Sequence, residues 1–265
     1  MRVRDPRIVR LTAPLVALAG SVLLASGQEA LPATPPSTDS IVERLMTTRD
    51  RQARQLRAID AVRNYRLDYH GLGGTRHAEM QVVSTYTAPH QKEFRIVSES
   101  GSRFLLDRIL KKLLDSEKDY QLDDSDSDLS PRNYHFQLLG TDEAAGSKAY
   151  VIEITPRRRA KYLCRGKIWV DARDFAIARL EGEPAKNPSF WVSHTEMANT
   201  YQKVGDYWLP VHKDATSEVR FGGKAVLAID YSGYQITANP RSELQASSGT
   251  SWHMRHSDPR TSEQP

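Results

Sequence analysis

From Tyr65 to Ile236 the chain alternates apolar and polar residues in segment after segment, and most of the connections between them are as short as hairpins. Tyr65, Leu67 and Tyr69 alternate with Arg66, Asp68 and His70. Met80, Val82 and Tyr86 follow the turn Gly71-Leu72-Gly73-Gly74, and Phe94 and Ile96 alternate with Glu93 and Arg95. Further strands are expected at 134–138, 150–156, 166–171, 176–181, 190–201, 207–216 and 225–236, with turns at Ala172-Arg173-Asp174, Gly205-Asp206 and Gly222-Gly223. Parallel neighbours would need a crossover of about a dozen residues between strands. Only one helical segment interrupts the run, so the sheet is antiparallel.

Two helices are expected. Ser40 and Glu43 have the spacing of a capping box, and Ile41, Leu45, Ala53, Leu56, Ile59 and Val62 recur near one helical face, which predicts a helix over 41–62. A second is predicted over 103–118, where Leu105, Ile109 and Leu113 form one row and Leu106, Leu110 and Leu114 the adjoining one. About ten half-buried strands make a sheet with one dry face, and two amphipathic helices are all that is available to cover it. The expected fold is mainly β: a curved antiparallel sheet forming an open half-barrel, with a helical lid over an apolar interior. Its inward set is Leu67, Tyr69, Met80, Val82, Phe94, Ile96, Phe136, Leu138 and Ile152, faced by Leu106, Ile109, Leu110 and Leu113. Pattern alone makes these either packed core or the lining of a cavity.

The ends have a different character. Residues 1–27 read as a cleavable export signal: arginines at 2, 4, 7 and 10, an apolar run over 11–24, and small residues before a cleavage site after Gly27. The run is shorter than the about 20 residues that span a bilayer, which points to a periplasmic product. Residues 28–39 are a Pro- and Ser/Thr-rich linker, 40–236 the folded domain, and 237–265 a polar tail without periodicity, expected to be disordered. The 37 basic and 33 acidic residues give a net charge of +4, but four arginines and one aspartate of that balance lie in the signal. The remaining +1 is no argument for nucleic acid, and none is expected as a partner. A lone Cys164 excludes an intrachain disulfide.

Particular stretches go further than periodicity. AEMQVVSTYTAPHQKEFRIVSESGSRFLLDRILKKLLDSEKD, NYHFQLLG, the region from YVIEITPRRRAKYLCRGKIWVDARDFAIARLEGEP to SFW, YQKVGDYWLP and the closing Tyr231 and Tyr234 resemble exported proteins of the LolA-like, outer-membrane lipoprotein-sorting family. The likeness covers about 40–236 and is most specific at Ile168-Trp169-Val170-Asp171, 175–179 and 183–191. It implies an open half-barrel whose helices cover an apolar cavity for acyl chains, with the inward set above as its lining. It also implies an acyl chain of a lipid or lipoprotein as the partner. Relatives within the superfamily suggest an alternative, a module that regulates envelope stress by binding a membrane signalling protein. The arginine that latches the lid in the carrier proper has three counterparts to choose from here, Arg66, Arg95 and Arg103.

Nothing in the sequence spells out an active site, so a non-enzymatic binder without cofactor is expected, with a secreted hydrolase as a third reading. There is no HExxH, no Gly-x-Ser-x-Gly, and Ser100 and Ser102 read as helix-capping residues. His70 and His77 flank a turn and lack a third metal ligand. Asp124, Asp126 and Asp128 alternate as in a calcium loop, but Leu129 and His135 stand where its glycine and closing glutamate belong. The basic run Arg157, Arg158, Arg159, Lys161, Arg165 and Lys167 is a solvated loop or a docking patch for anionic headgroups or an acidic partner.

Overall fold

Ser37 starts the first helix, accepting a hydrogen bond from the Ser40 amide at 3.2 Å, and α1 spans Thr38–Gln55 with Asp39 in its first turn and Arg54 in its last. The cap therefore lies three residues before the expected one, and the last two residues of the expected linker are helical. In this computed structural model the described residues are 36–239, apart from 72, 120–127, 161, 188–191 and 221. The export signal, the linker to residue 35, the tail from 240, and Asp123, Asp124, Asp126, Lys161, Phe190 and Trp191 lie outside them.

The helix does not reach residue 62. Leu56 is extended, at φ −82° and ψ 133°, and the chain passes straight into β1, Leu56–Gly71. No Gly or Pro marks the change. What ends the helix is tertiary: from residue 56 onward the backbone pairs with strands on both sides, and strand pairing overrides a helical spacing of Leu56, Ile59 and Val62.

Nine strands follow: β2 Gly74–Thr87, β3 Gln91–Gly101, β4 Tyr134–Ala144, β5 Ser147–Pro156, β6 Cys164–Asp171, β7 Ile177–Pro184, β8 Val192–Val204, β9 Tyr207–Val219 and β10 Gly223–Ala238. β10 includes Thr237 and Ala238, which the sequence pattern places in the tail, and the Asn239 amide donates to the Gln55 carbonyl at 2.7 Å. All ten form one antiparallel sheet in the order β3-β2-β1-β10-β9-β8-β7-β6-β5-β4, left open between β3 and β4. The connection between these two edges holds the second helix: α2 Arg103–Leu105, a π-helical turn Leu106–Leu110, and α3 Lys111–Asp119. Ser102 sits at its N-cap with its carbonyl accepting from the Leu106 amide, but its hydroxyl makes no capping bond.

Cross-strand register shows which side each helix covers. Met80, Tyr65, Ile229, Lys213, Asn199, Leu180, Ile168, Ile152 and Leu138 are directly paired in one row across nine strands. Paired residues share a face, so this row defines the inner face. Along it lie two apolar clusters. Tyr65, Leu67, Met80, Val82, Ile229 and Tyr231 pack with Leu105, Leu106, Leu110 and Leu114 of the second helix. Ile152, Ile154, Ile168 and Val170 pack with Ile41, Val42 and Leu45 of α1. Both helices therefore lie on the inner side.

Three expected inward residues are exposed. Ile109 and Leu113 are turned out to 37% and 36% exposure because of the π turn, in which the Lys111 amide bonds to the Leu106 carbonyl five residues back. The extra residue rotates the helix after it, so the row from Leu105 continues at Leu110 and Leu114. Ile96 pairs with Val82 and shares its face, but it stands on the edge strand with a neighbour on one side only, and is 39% exposed.

Candidate ligand-binding site on the inner face

The alternation of β1 continues N-terminally from Leu67 and Tyr65 to Arg63, Ala61 and Ile59, which brings a cation onto the apolar face. Arg63 is 15% exposed. Its guanidinium donates from Nε to the Ser84 hydroxyl at 2.9 Å and from Nη1 to both Glu117 carboxylate oxygens at 3.0 Å. It also lies 5.0 Å from the Phe94 ring centroid and 5.3 Å from that of Tyr231. Glu117 belongs to α3, so one half-buried ion pair ties the second helix to the floor of the sheet. Burial pulls the Arg63 pKa down, but Glu117 and the neighbouring tyrosine hydroxyls more than reverse this, and the guanidinium stays charged. Tyr65 and Tyr231 are pushed up to about 12, mainly by burial, and remain neutral phenols.

Beside this pair is a recess of about 190 Å³ lined by Ile59, Ala61, Arg63, Phe94, Leu209, Pro210, Tyr231 and Tyr234, among others. Typical small-molecule sites run to about 300–1,000 Å³, so a long chain would require the helix to give way. Of the expected lining, Phe94 reaches this recess. Leu67, Tyr69, Met80 and Val82 join it in one cluster with Leu106 and Leu110, where the strand and helix side chains fill the space themselves. Phe136, Leu138 and Ile152 are brought together in the other cluster, under α1.

Arg63 was missed because an inward arginine reads as one more polar residue of an alternating strand; the unbroken odd-numbered series 59, 61, 63, 65, 67 was the signal. None of the three arginines singled out as latch candidates is on the inner side of the helix. Arg66 faces Glu79 and Asp230 at 3.8 and 3.9 Å on the outer face, Arg103 pairs with Glu99 at 2.6 Å while 75% exposed, and Arg95 is exposed. The rim holds a second tie between sheet and helix, Lys111 to Glu99 at 3.0 Å.

The basic run at the β5–β6 connection is largely used to fasten its loop. Arg157 donates to the Pro131 carbonyl at 2.8 Å and lies 3.1 Å from His135, Arg159 donates to Ala185, and Arg165 is paired with Glu183 at 2.6 Å. Arg158 is exposed. Cys164 is half-buried, and burial pushes its thiol up. Among the described residues no three His, Cys, Asp or Glu side chains are grouped to hold a metal.

The outer face is charged and carries a titratable network. His77 lies 2.7 Å from Asp68 and His212 lies 2.6 Å from Asp230 and 2.7 Å from Asp214. Hydrogen bonds to Asp68 and to Asp230 are the largest causes raising the two imidazole pKa values. A raised folded-state pKa contributes stability that is complete below the unfolded value of about 6.5 and is lost as pH rises through the folded value. Urea unfolding between pH 6 and 9 should show wild type losing about 0.2–1 kcal/mol relative to a His77→Gln, His212→Gln double variant, a small loss because both rings are open to solvent. An equal pH dependence in the two proteins would contradict this.

A family model described as a family of unknown function (DUF5686) matches residues 127–235. No curated protein matches the chain. Among solved structures it is similar to a DUF1329 family protein from Desulfovibrio piger, with 14% identity, a TM-score of 0.37, and 75% of this chain and 92% of that one covered. It is similar also to a LolA superfamily protein from Nitrosomonas europaea, with 14% identity, a TM-score of 0.32, and 78% and 96% covered. A third is MucB in the MucA/MucB complex of Pseudomonas aeruginosa, with 10% identity, a TM-score of 0.26, and 76% and 99% covered.

Proposed function

We propose that this chain is an exported, periplasmic, non-enzymatic carrier that holds the acyl chain of a lipid or lipoprotein on the inner face of its half-barrel. Residues 40–236 would be the carrying domain and 1–27 its signal. The observation that carries the reading is the second helix: it seals one apolar cluster of the sheet and, among the described residues, is tied to the sheet by ion pairs that are partly open to water, Arg63 with Glu117 on the inner face and Glu99 with Lys111 at the rim. A cover held this way seals at rest and opens at modest cost, which transport requires and a permanent core does not. Leu106 and Leu110 would exchange their contacts with Leu67, Met80 and Val82 for contacts with ligand. Burying an acyl chain in their place contributes about 0.8 kcal/mol per methylene. The groups at the recess suit binding, being apolar side chains, two cations, Arg63 and Lys92, and the neutral phenols of Tyr231 and Tyr234. No helix among the described residues is long and apolar enough to cross a membrane.

Native mass spectrometry of the protein purified from its own envelope tests the proposal. Co-purifying lipid or acylated lipoprotein is the expected result. A lipid-free complex with a membrane protein would replace the carrier by a regulatory module, and turnover of an ester substrate by an empty protein would overturn both.

A further inference from the structure

The middle of the inner face is not apolar. In the row that runs across the sheet, Lys213 of β9 and Asn199 of β8 stand between the two apolar clusters. Lys213 Nζ lies 5.4 Å from the Tyr231 ring centroid, the same ring that Arg63 approaches to 5.3 Å. Two cations thus flank one aromatic ring at the edge of the recess. Glu117 engages Arg63, while Lys213 has no carboxylate partner among the described residues. The acids nearest to it in sequence and register, Asp214 and Asp230, belong to the outer face, where His212 and Arg66 engage them. Lys213 is half-buried, and a cation partly withdrawn from water gains most from an anion that is partly withdrawn with it. The tyrosine hydroxyls around it are neutral donors.

We propose that the ligand is an anionic amphiphile, whose headgroup binds Lys213 and competes with Glu117 for Arg63 while its chain enters the adjoining recess. This rests on the carrier reading and names the chemistry of its cargo. Glu117 is then the protein's own stand-in for the headgroup. The two-oxygen contact that its carboxylate makes with Arg63 is one that a phosphate or carboxylate reproduces. Displacing Glu117 frees α3 at the moment the headgroup arrives, so arrival of the anion and release of the cover are one exchange. A cationic amphiphile meets two like charges and is rejected.

Calorimetric titration of the full chain with dodecyl phosphate, with the neutral octaethylene glycol dodecyl ether, and with inorganic phosphate tests the assignment. Dodecyl phosphate should bind at least about tenfold more tightly than the ether, the worth of one charge-assisted contact, and inorganic phosphate alone should not bind measurably. Glu117→Gln, which removes the competitor, should widen the gap between the two amphiphiles, and Lys213→Met should narrow it, with circular dichroism confirming that both variants are folded. Equal affinity for both amphiphiles in all three proteins would overturn the headgroup assignment and leave the carrier reading intact. Binding of inorganic phosphate as tight as that of dodecyl phosphate would show an anion site without a chain. Failure of both amphiphiles to bind would remove both proposals.

Discussion

Replacing Leu110 by glutamate is expected to lower the unfolding free energy by about 3–5 kcal/mol, read as a lower urea midpoint at unchanged slope. Leu110 is fully enclosed at the centre of the cluster formed by the second helix and β1, β2 and β10. The substitution both empties that place and puts a carboxylate in it. The variant carries its own internal check. A buried carboxyl has a pKa above its unfolded value, so its charged form is what costs stability, and the deficit relative to wild type should shrink as pH falls through that raised value toward 4. Lys111 is no control, because it pairs with both Glu99 and Asp107; the exposed Lys112→Glu is, and should stay within about 0.5 kcal/mol of wild type. A Leu110→Glu protein as stable as wild type at pH 7 would mean that the helix does not pack on the sheet as described.

That same helix shows where sequence reading succeeds and where it stops. Leucines at 105, 106, 110 and 114 announce an apolar side, and Leu106 and Leu110 do face the sheet. Which of the remaining apolar residues joins them depends on a single π turn, a backbone irregularity that no residue type in Leu106-Asp107-Arg108-Ile109-Leu110 specifies. The boundary between α1 and β1 was hidden for a related reason: the decision at Leu56 is made by partners that are far away in sequence, Ala238 among them. Apart from the first part of β1, read as helix up to residue 62, each strand was legible in place if not in its bounds, since a two-residue period survives small errors at its ends. Arg63 was not, because hydropathy patterns score a cation as outward wherever it stands, whereas a guanidinium on an inner face is made tolerable by a carboxylate from another element and by the rings of Phe94 and Tyr231.

Removing that carboxylate is the second large effect expected. Glu117→Ala leaves Arg63 at 15% exposure with no anion, and should cost about 2–3 kcal/mol, less than a fully enclosed pair because Glu117 itself is one-third open to water. The loss should be local. Amide hydrogen exchange is expected to accelerate through 103–119 and to remain unchanged in β5, β6 and α1, whose packing lies in the other cluster. Uniform acceleration across both clusters would show that the pair supports the whole domain rather than the helix.

The strand order has a consequence for how this chain acquires its structure. β1 lies between β2 and β10, so its second neighbour is the last strand to be made. During synthesis β1, β2 and β3 can form a three-stranded unit at once, yet one flank of β1 must wait for nearly the whole domain before it is paired. Joining strands so distant along the chain is slow, because the entropy of closing the long loop is spent before contacts compensate it. Meanwhile β1 presents a long unpaired edge of the kind that recruits other chains. α1 has a similar history: it is made next to β1 but rests on β5 and β6, so it too remains without its apolar partner until the later strands exist. Refolding should therefore be limited by the meeting of the first and last strands, and any factor that shields nascent chains would find its target in the segment from 38 to 71.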